Sequence, residues 1–301
     1  MRAKRSVDGI LLLDKPLGLS SNAALQAVKR LYEADKAGHT GSLDPLATGL
    51  LPICLGQATK LSGYLLDADK RYRARARLGI RTSTGDAEGE AVASSDPGQL
   101  QRQELEAAIP RFLGAITQVP PMYSALKRDG QPLYALARAG IEVERAAREI
   151  RISDLCLLQF DGLHFEFEVA CSKGTYIRTL AEDWAGAVGQ QAHLVALRRT
   201  GLQPFDAECM VTLQRLQQAE AGPQRDAFLL PPAAALLGWT EVEVDDTLAK
   251  RLGRGQPVHL ALACGGPVAV FDHGRRLLGI AESDGRGGLA PKRWLAVEAV
   301  V

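Results

Sequence analysis

The chain has 301 residues, of which 46% are hydrophobic and 24% charged, so it can bury a core and is not a disordered tail. A formal net charge of +1 rules out a polybasic protein, and the length fits one large domain or two unequal ones. The charge is uneven, however: residues 1–80 carry +6 and the remaining 221 carry −5, which points to a polyanion partner near the N-terminal end.

Met1-Arg2-Ala3-Lys4-Arg5 is basic, but only Ile10-Leu11-Leu12-Leu13 follows, too short for a signal-peptide core. No apolar run approaches the roughly 18 residues of a membrane helix, so a cytoplasmic protein is expected. Ile10–Leu13 reads as a short buried strand that ends in a turn over Asp14-Lys15-Pro16-Leu17-Gly18. Ser20 or Ser21 can cap a helix with apolar positions Ala24, Leu25, Val28, Leu31 and Tyr32. Residues 38–48 read as a loop, Leu50–Leu55 as a strand and Ala58–Leu66 as a helix.

Lys70–Ile80 has the clearest period in the chain. Tyr72, Ala74, Ala76, Leu78 and Ile80 face one way, and Arg71, Arg73, Arg75 and Arg77 the other, as in a strand. The arginine face is either an ordinary solvated face or a phosphate contact. Four arginines without an intervening acid favour the second reading.

Arg102–Ile109 and Gln131–Ala139 read as helices. Arg148–Gln159 and Leu163–Ser172 read as two strands joined at Phe160-Asp161-Gly162. A helix over Thr175–Ala187 and a strand over Val195–Thr200 follow. The elements mix without regular βαβ alternation, so the fold class is α+β. Composition changes after Leu230–Leu237. From Glu241 the segments are short and glycine-punctuated, as in Gly265-Gly266-Pro267 and Gly285-Arg286-Gly287-Gly288, and suggest a small all-β module. The expected division is 1–240 and 241–301.

Five cysteines (Cys54, Cys156, Cys171, Cys209, Cys264) form no C-x-x-C pair, which argues against a disulfide framework or zinc ribbon. The histidines show no H-x-x-x-H spacing, so no metal site is expected. Two windows carry chemistry instead. Between Ala37 and Leu51 the only carboxylate is Asp44. Pro45 biases it toward extended geometry, while Gly41 and Gly49 permit turns or close backbone approach. The window is either a plain Asp-Pro turn or a rigid loop that presents one acid. The second window, Cys171–Leu180, places Tyr176 and Arg178 at a strand-to-helix junction. An arginine there can keep a buried aspartate ionised and aimed, or lie on the surface of a helix start.

Taken together, these windows resemble the TruB family of bacterial tRNA pseudouridine-55 synthases, nearly end to end. The carrying motifs are Leu12-Leu13-Asp14-Lys15-Pro16, the run from Gly38-His39-Thr40-Gly41 through Asp44-Pro45 to Thr48-Gly49, and Lys70-Arg71-Tyr72. Further along come Pro121-Met122-Tyr123-Ser124-Ala125-Leu126-Lys127, Ser172-Lys173-Gly174-Thr175-Tyr176-Ile177-Arg178 and Leu197-Arg198-Arg199. The resemblance implies a pseudouridine synthase fold: a mixed, largely antiparallel central sheet flanked by helices, with a C-terminal PUA-like RNA-binding module. It implies isomerisation of uridine 55 in the tRNA T loop, with no cofactor, because a nucleophilic carboxylate suffices.

By the same resemblance Asp44 is that carboxylate, and its attack on sugar, base or a glycal intermediate stays open. Tyr72 would stack on the flipped uracil. His39 would support the flip, Tyr176 and Leu197 would form further walls, and Arg178 would pair with Asp44. Lys15, Arg71, Arg73, Arg75 and Arg77 are candidate phosphate contacts on charge alone. The expected partner is the tRNA T arm, with no membrane, no obligatory protein partner and a monomeric state. The alternatives are a tRNA-folding chaperone in which catalysis is secondary, and a glycoside hydrolase, which needs two flanking carboxylates.

Overall fold

The computed structural model describes residues 4–260, 262 and 264–295. Residues 1–3 of the basic start, and 261, 263 and 296–301 of the expected terminal module, lie outside them. The apolar run near the start forms β1 (Gly9–Lys15). Helix α1 (Ser21–Leu31) follows, capped by the Ser20 hydroxyl, which accepts from the Ala23 N–H at 3.1 Å. Ala24, Leu25 and Val28 bury its inner face. The segment expected as a loop over 38–48 is shorter. Its ends belong to β2 (Ala37–His39) and β3 (Ala47–Leu55), because His39 pairs with Ile53 across an antiparallel ladder. The expected helix at Ala58–Leu66 divides into a 3-10 turn (Gly56–Leu61) and a short helix (Ser62–Asp67).

Strand β4 (Lys70–Leu78) alternates buried and exposed residues along its whole length. Then come β5 (Gly114–Gln118), β6 (Arg148–Phe160) and β7 (His164–Cys171). Helix α2 (Ile177–Ala187) follows, then β8 (Ala192–Leu202) and the short β9 (Val211–Thr212). Among the described residues eleven strands form one sheet, whose main path runs β9-β1-β3-β8-β4-β7-β6-β5. Most neighbours are antiparallel; β3 and β8 are parallel, with Arg199 opposite Gly49.

The sheet is covered differently on its two faces. Leu11, Leu13, Leu51, Ile53, Tyr72, Ala74 and Leu197 turn to the front, where they join α1 and α2 in one core. Trp184 of α2 anchors that core, its ring edge-on to Phe165 and Phe167 at 5.4 and 5.3 Å. On the back, Ile10, Leu12, Leu50 and Cys54 join a second core with Ala269, Phe271, Leu277 and Ile280 of the terminal module. Strands β1 and β3 therefore read as continuous apolar runs because both faces are buried, while β4 alternates because only its front is.

The module is a sheet of β10 (Thr240–Glu243), β11 (Val258–His259), β12 (Gly265–Phe271), β13 (Leu277–Asp284) and β14 (Gly288–Trp294), in the order β10-β12-β13-β14-β11. One helix, α3 (Asp246–Gly253), accompanies it. The module shares this second core with Ala58 and Leu61 of the 3-10 turn and with Ala235 and Leu236, from segments that contact β1. Phe271→Ala should therefore cost about 3–5 kcal/mol in urea unfolding and should lower a single transition common to the whole chain. Two separated transitions would show that the module does not share the core.

Candidate active site

The Asp44 loop is fixed before any side chain acts. The Ser21 hydroxyl accepts from the Leu43 N–H at 2.7 Å and donates to the Leu43 carbonyl at 2.9 Å. The Thr40 N–H donates to the Pro52 carbonyl and the Gly18 N–H to the Pro45 carbonyl. Gly49 sits at φ +97°, and a Cβ there would lie 2.3 Å from the Arg199 carbonyl oxygen. Only glycine lets β3 pass this close to β8.

From this loop Asp44 Oδ2 meets Arg178 Nη2 at 3.0 Å. The Arg178 side chain is 5% exposed and that of Asp44 43%. Arg178 is shared, since its Nη1 lies 3.5 Å from Asp86 Oδ2. It also donates to the Thr84 carbonyl at 2.5 Å and the Tyr123 carbonyl at 2.6 Å. Asp86 is buried and occupied on its other side: Oδ1 accepts from the Thr84 hydroxyl at 2.6 Å and the Glu88 N–H at 3.1 Å. Burial pushes the Asp44 carboxyl above the usual range, with Arg178 and Lys15 opposing and Asp86 adding. Water at the open side of Asp44 limits that shift.

A second buried cation, Arg199, lies beside the first group. Its Nε donates to the Leu50 carbonyl at 2.6 Å and its Nη2 to the Gly41 carbonyl at 3.4 Å, so it ties the loop to the sheet. Its charge opposes the upward push of burial on the Tyr72 hydroxyl. It also helps burial press the His39 imidazole below its usual value. His39 Nδ1 is shut off from solvent without a hydrogen-bond partner. Leu197 precedes Arg199 by two on β8 and faces the same front side, 9% exposed. Tyr176 is the N-cap of α2, two residues before Arg178.

The structure thus gathers Asp44, Arg178, Tyr72, His39 and Leu197 on the front of the sheet, with Tyr176 at the adjoining helix start. Of the five phosphate candidates, Lys15 lies close enough for its charge to act on Asp44 but is turned inward, and the four arginines lie on the other face. Lys15 is fully buried, and its Nζ donates to the Pro16 and Leu19 carbonyls at 3.0 and 2.6 Å. Burial lowers its pKa to about 8. Arg71, Arg73, Arg75 and Arg77 lie on the back of β4, because alternation sends them opposite Tyr72. Arg73 pairs with Glu166 and Arg75 with Asp161. The acids absent from β4 itself come from the neighbouring strand and its turn.

Sequence reasoning passed over Asp86 and Arg199. Arg199 was within reach, since it shares the parity of Leu197 in a quoted motif. Asp86 left no signal, because its role comes from tertiary contact with Arg178. A groove of about 800 Å³ lies elsewhere, lined by Tyr64, Lys70, Arg71, Phe205 and Trp239 among others, and includes none of the Asp44 group. Among the described residues no cluster of three or more His, Cys, Asp or Glu is arranged to hold a metal ion. No described helix is long and apolar enough to cross a membrane.

Helix α2 also carries Glu182, whose carboxyl burial pushes up to about 7; Asp183 and Asp86 add to the rise while Arg81 and Arg178 oppose it. The folded state then holds this proton more tightly than the unfolded chain, so stability falls as pH rises through that window. Glu182→Gln should flatten the fall. Urea midpoints at about pH 5 and about pH 7.5 check this, and an unchanged slope would assign the titration to another group.

Three family models match the chain in succession. TruB family pseudouridylate synthase (N terminal domain) covers residues 29–177. The tRNA pseudouridylate synthase B C-terminal domain covers 178–236, and Pseudouridine synthase II TruB, C-terminal, covers 240–295. The tRNA pseudouridine synthase B of Pseudomonas paraeruginosa is 53% identical over 296 residues, 97% of each chain. That of Burkholderia mallei is 52% identical over 304 residues, covering 99% of this chain and 100% of its own. Among solved structures, a Cbf5-Nop10-Gar1 complex contains a chain of the same fold, with a TM-score of 0.72 and 24% identity over 96% of this chain and 84% of that one. An H/ACA RNP bound to substrate RNA matches with a TM-score of 0.73 at 20% identity, over 99% and 92%. With relatives this similar along nearly its whole length, the chain belongs to the TruB family of pseudouridylate synthases.

Proposed function

We propose that the protein isomerises uridine 55 in the T loop of tRNA to pseudouridine, acting in the cytoplasm as a monomer on the T arm. The relatives' names supply tRNA as the substrate class. The observation that carries the chemistry is Asp44, held in a braced loop, ion-paired on one side and open on the other.

The reaction breaks the uracil N1–C1′ bond, turns the base over and joins C5 to C1′. The C5 proton leaves and N1, freed from C1′, takes one up, so the product is an isomer. No electron is gained or lost, and a carboxylate nucleophile meets the demand. Asp44 attacks the flipped nucleotide as an anion, and Arg178 keeps it ionised against the push of burial. Tyr72 stacks on the extruded uracil, Leu197 and Tyr176 close the pocket, and neutral His39 contacts the RNA near the vacated place. The geometry argues against a glycoside hydrolase. The nearest second carboxylate, Asp86, lies behind Arg178 at 4% side-chain exposure and does not flank the substrate position.

Asp44→Asn should reduce release of tritium from C5-labelled tRNA transcript to background, while RNA affinity stays within roughly tenfold, or ~1.4 kcal/mol. Multiple turnover by the pure variant would sink the assignment. A chaperone with secondary catalysis would instead keep its full effect on RNA folding without an ionised Asp44.

Replacing Arg178 separates ionisation from geometry. Without the cation the Asp44 pKa rises, so the acid limb of the Arg178→Met pH–rate profile should move to higher pH and activity should recover in part as pH rises. Arg178→Lys keeps the charge but loses the planar fork, and should be slow at every pH. Single-turnover profiles that match the unsubstituted protein would remove Arg178 from the mechanism.

A further inference from the structure

Strands β5 and β6 are sheet neighbours, yet residues 119–147 join them in place of a hairpin turn. The two ends of that connection meet in register: Gln118, last in β5, lies opposite Arg148, first in β6. Both side chains reach the helix start that carries Tyr176.

Gln118 is 1% exposed and uses both ends of its amide on the Tyr176 backbone. Its Oε1 accepts from the Tyr176 N–H at 2.8 Å, and its Nε2 donates to the Tyr176 carbonyl at 3.0 Å. The same carbonyl accepts the first helical hydrogen bond of α2, from the Leu180 N–H. Arg148 places its guanidinium carbon 4.8 Å from the centroid of the Tyr176 ring, in cation–π range. Its Nη2 also donates to the Gly174 carbonyl. Gly174, at φ +83°, leaves room for this plane, because a Cβ there would come within 3.3 Å of the guanidinium carbon. Arg148 Nε is shut off from solvent with no hydrogen-bond partner, so ring and carbonyl orient the group. From the connection itself, the Tyr123 carbonyl accepts from Arg178.

We propose that Gln118 and Arg148 are positioning residues: they fix the Tyr176 wall and the start of α2, and thereby hold Arg178 on Asp44. The proposal rests on the function proposed above. A backbone held at both N–H and C=O cannot slide along the helix axis, and a ring under a guanidinium face has little freedom to swing. Arg178 follows two residues later on the same helix, so its reach to Asp44 depends on where that helix begins.

The test combines single-turnover tritium release from C5-labelled tRNA transcript with RNA binding, using the full chain. Arg148→Met should slow conversion about tenfold with RNA affinity within about twofold. Arg148→Lys keeps the charge without the planar face and should restore only part of the rate. In a Tyr176→Leu background, Arg148→Met should cost less than about twofold more, since its effect runs through the ring. Gln118→Met should slow conversion and raise the acid limb of the pH–rate profile; if it does not fold, the Arg148–Tyr176 cycle decides alone. Additive losses, or weaker RNA binding at an unchanged rate, would overturn the proposal and leave Arg148 as a phosphate contact. Failure of the unsubstituted chain to release tritium would overturn the functional reading instead.

Discussion

A guanidinium shielded from water needs a counter-charge, and Arg178 has two carboxylates of unlike character. Asp86 is as buried as the arginine and is held by a hydroxyl and a backbone N–H. Asp44 is open to solvent on its other side. The buried pair satisfies the desolvated cation, and the open pair orients a carboxylate that is still able to react. Asp86 on its own side of the guanidinium lets Asp44 keep one oxygen free. Two backbone carbonyls also accept from the arginine's Nη1 and Nη2, so it has little choice of position.

The sheet makes this arrangement possible by having two different faces. Its front carries helices and the site. On its back, β1 and β3 pack into a second core that the 3-10 segments at 56–61 and 232–236 and the terminal module share, while the arginines of β4 stay exposed. Arg199 links the two levels: it bonds the backbone of the Asp44 loop and of β3, and its charge acts on Tyr72 and His39. Loop, wall and cation thus share one rigid support, the geometry a preorganised site requires.

Much of this was legible in the residues. The alternation expected over Lys70–Ile80 holds as far as Leu78; the strand ends at Gly79, φ +88°, and Ile80 starts a separate strand paired with Ser94. The same alternation implies that Tyr72 and the arginine stripe do not serve one site. The stripe's charge is partly met by acids that β7 and the β6–β7 turn place beside it, neighbours that the pattern along β4 alone does not show. The serine cap of α1, the hairpin at Asp161-Gly162 and the junction at Tyr176 also matched local chemistry. Lys15 was misjudged because burial is a tertiary property: a lysine after an aspartate reads as a surface turn, yet here the chain folds two carbonyls over its ammonium group.

The sequence by itself determined the periodicities, the glycines at which the backbone must pass closely, the lone acid of the Asp-Pro loop and the family motifs. Each of these depends on neighbours along the chain or on a pattern of residue types, and both survive without coordinates. Only the tertiary structure decided which carboxylate stands behind Arg178, that Gln118 and Arg148 converge on Tyr176, and that the terminal module completes a core with β1 and β3. Those contacts join residues tens to hundreds of positions apart. Their energies come from desolvation and close packing in three dimensions, which no local spacing encodes.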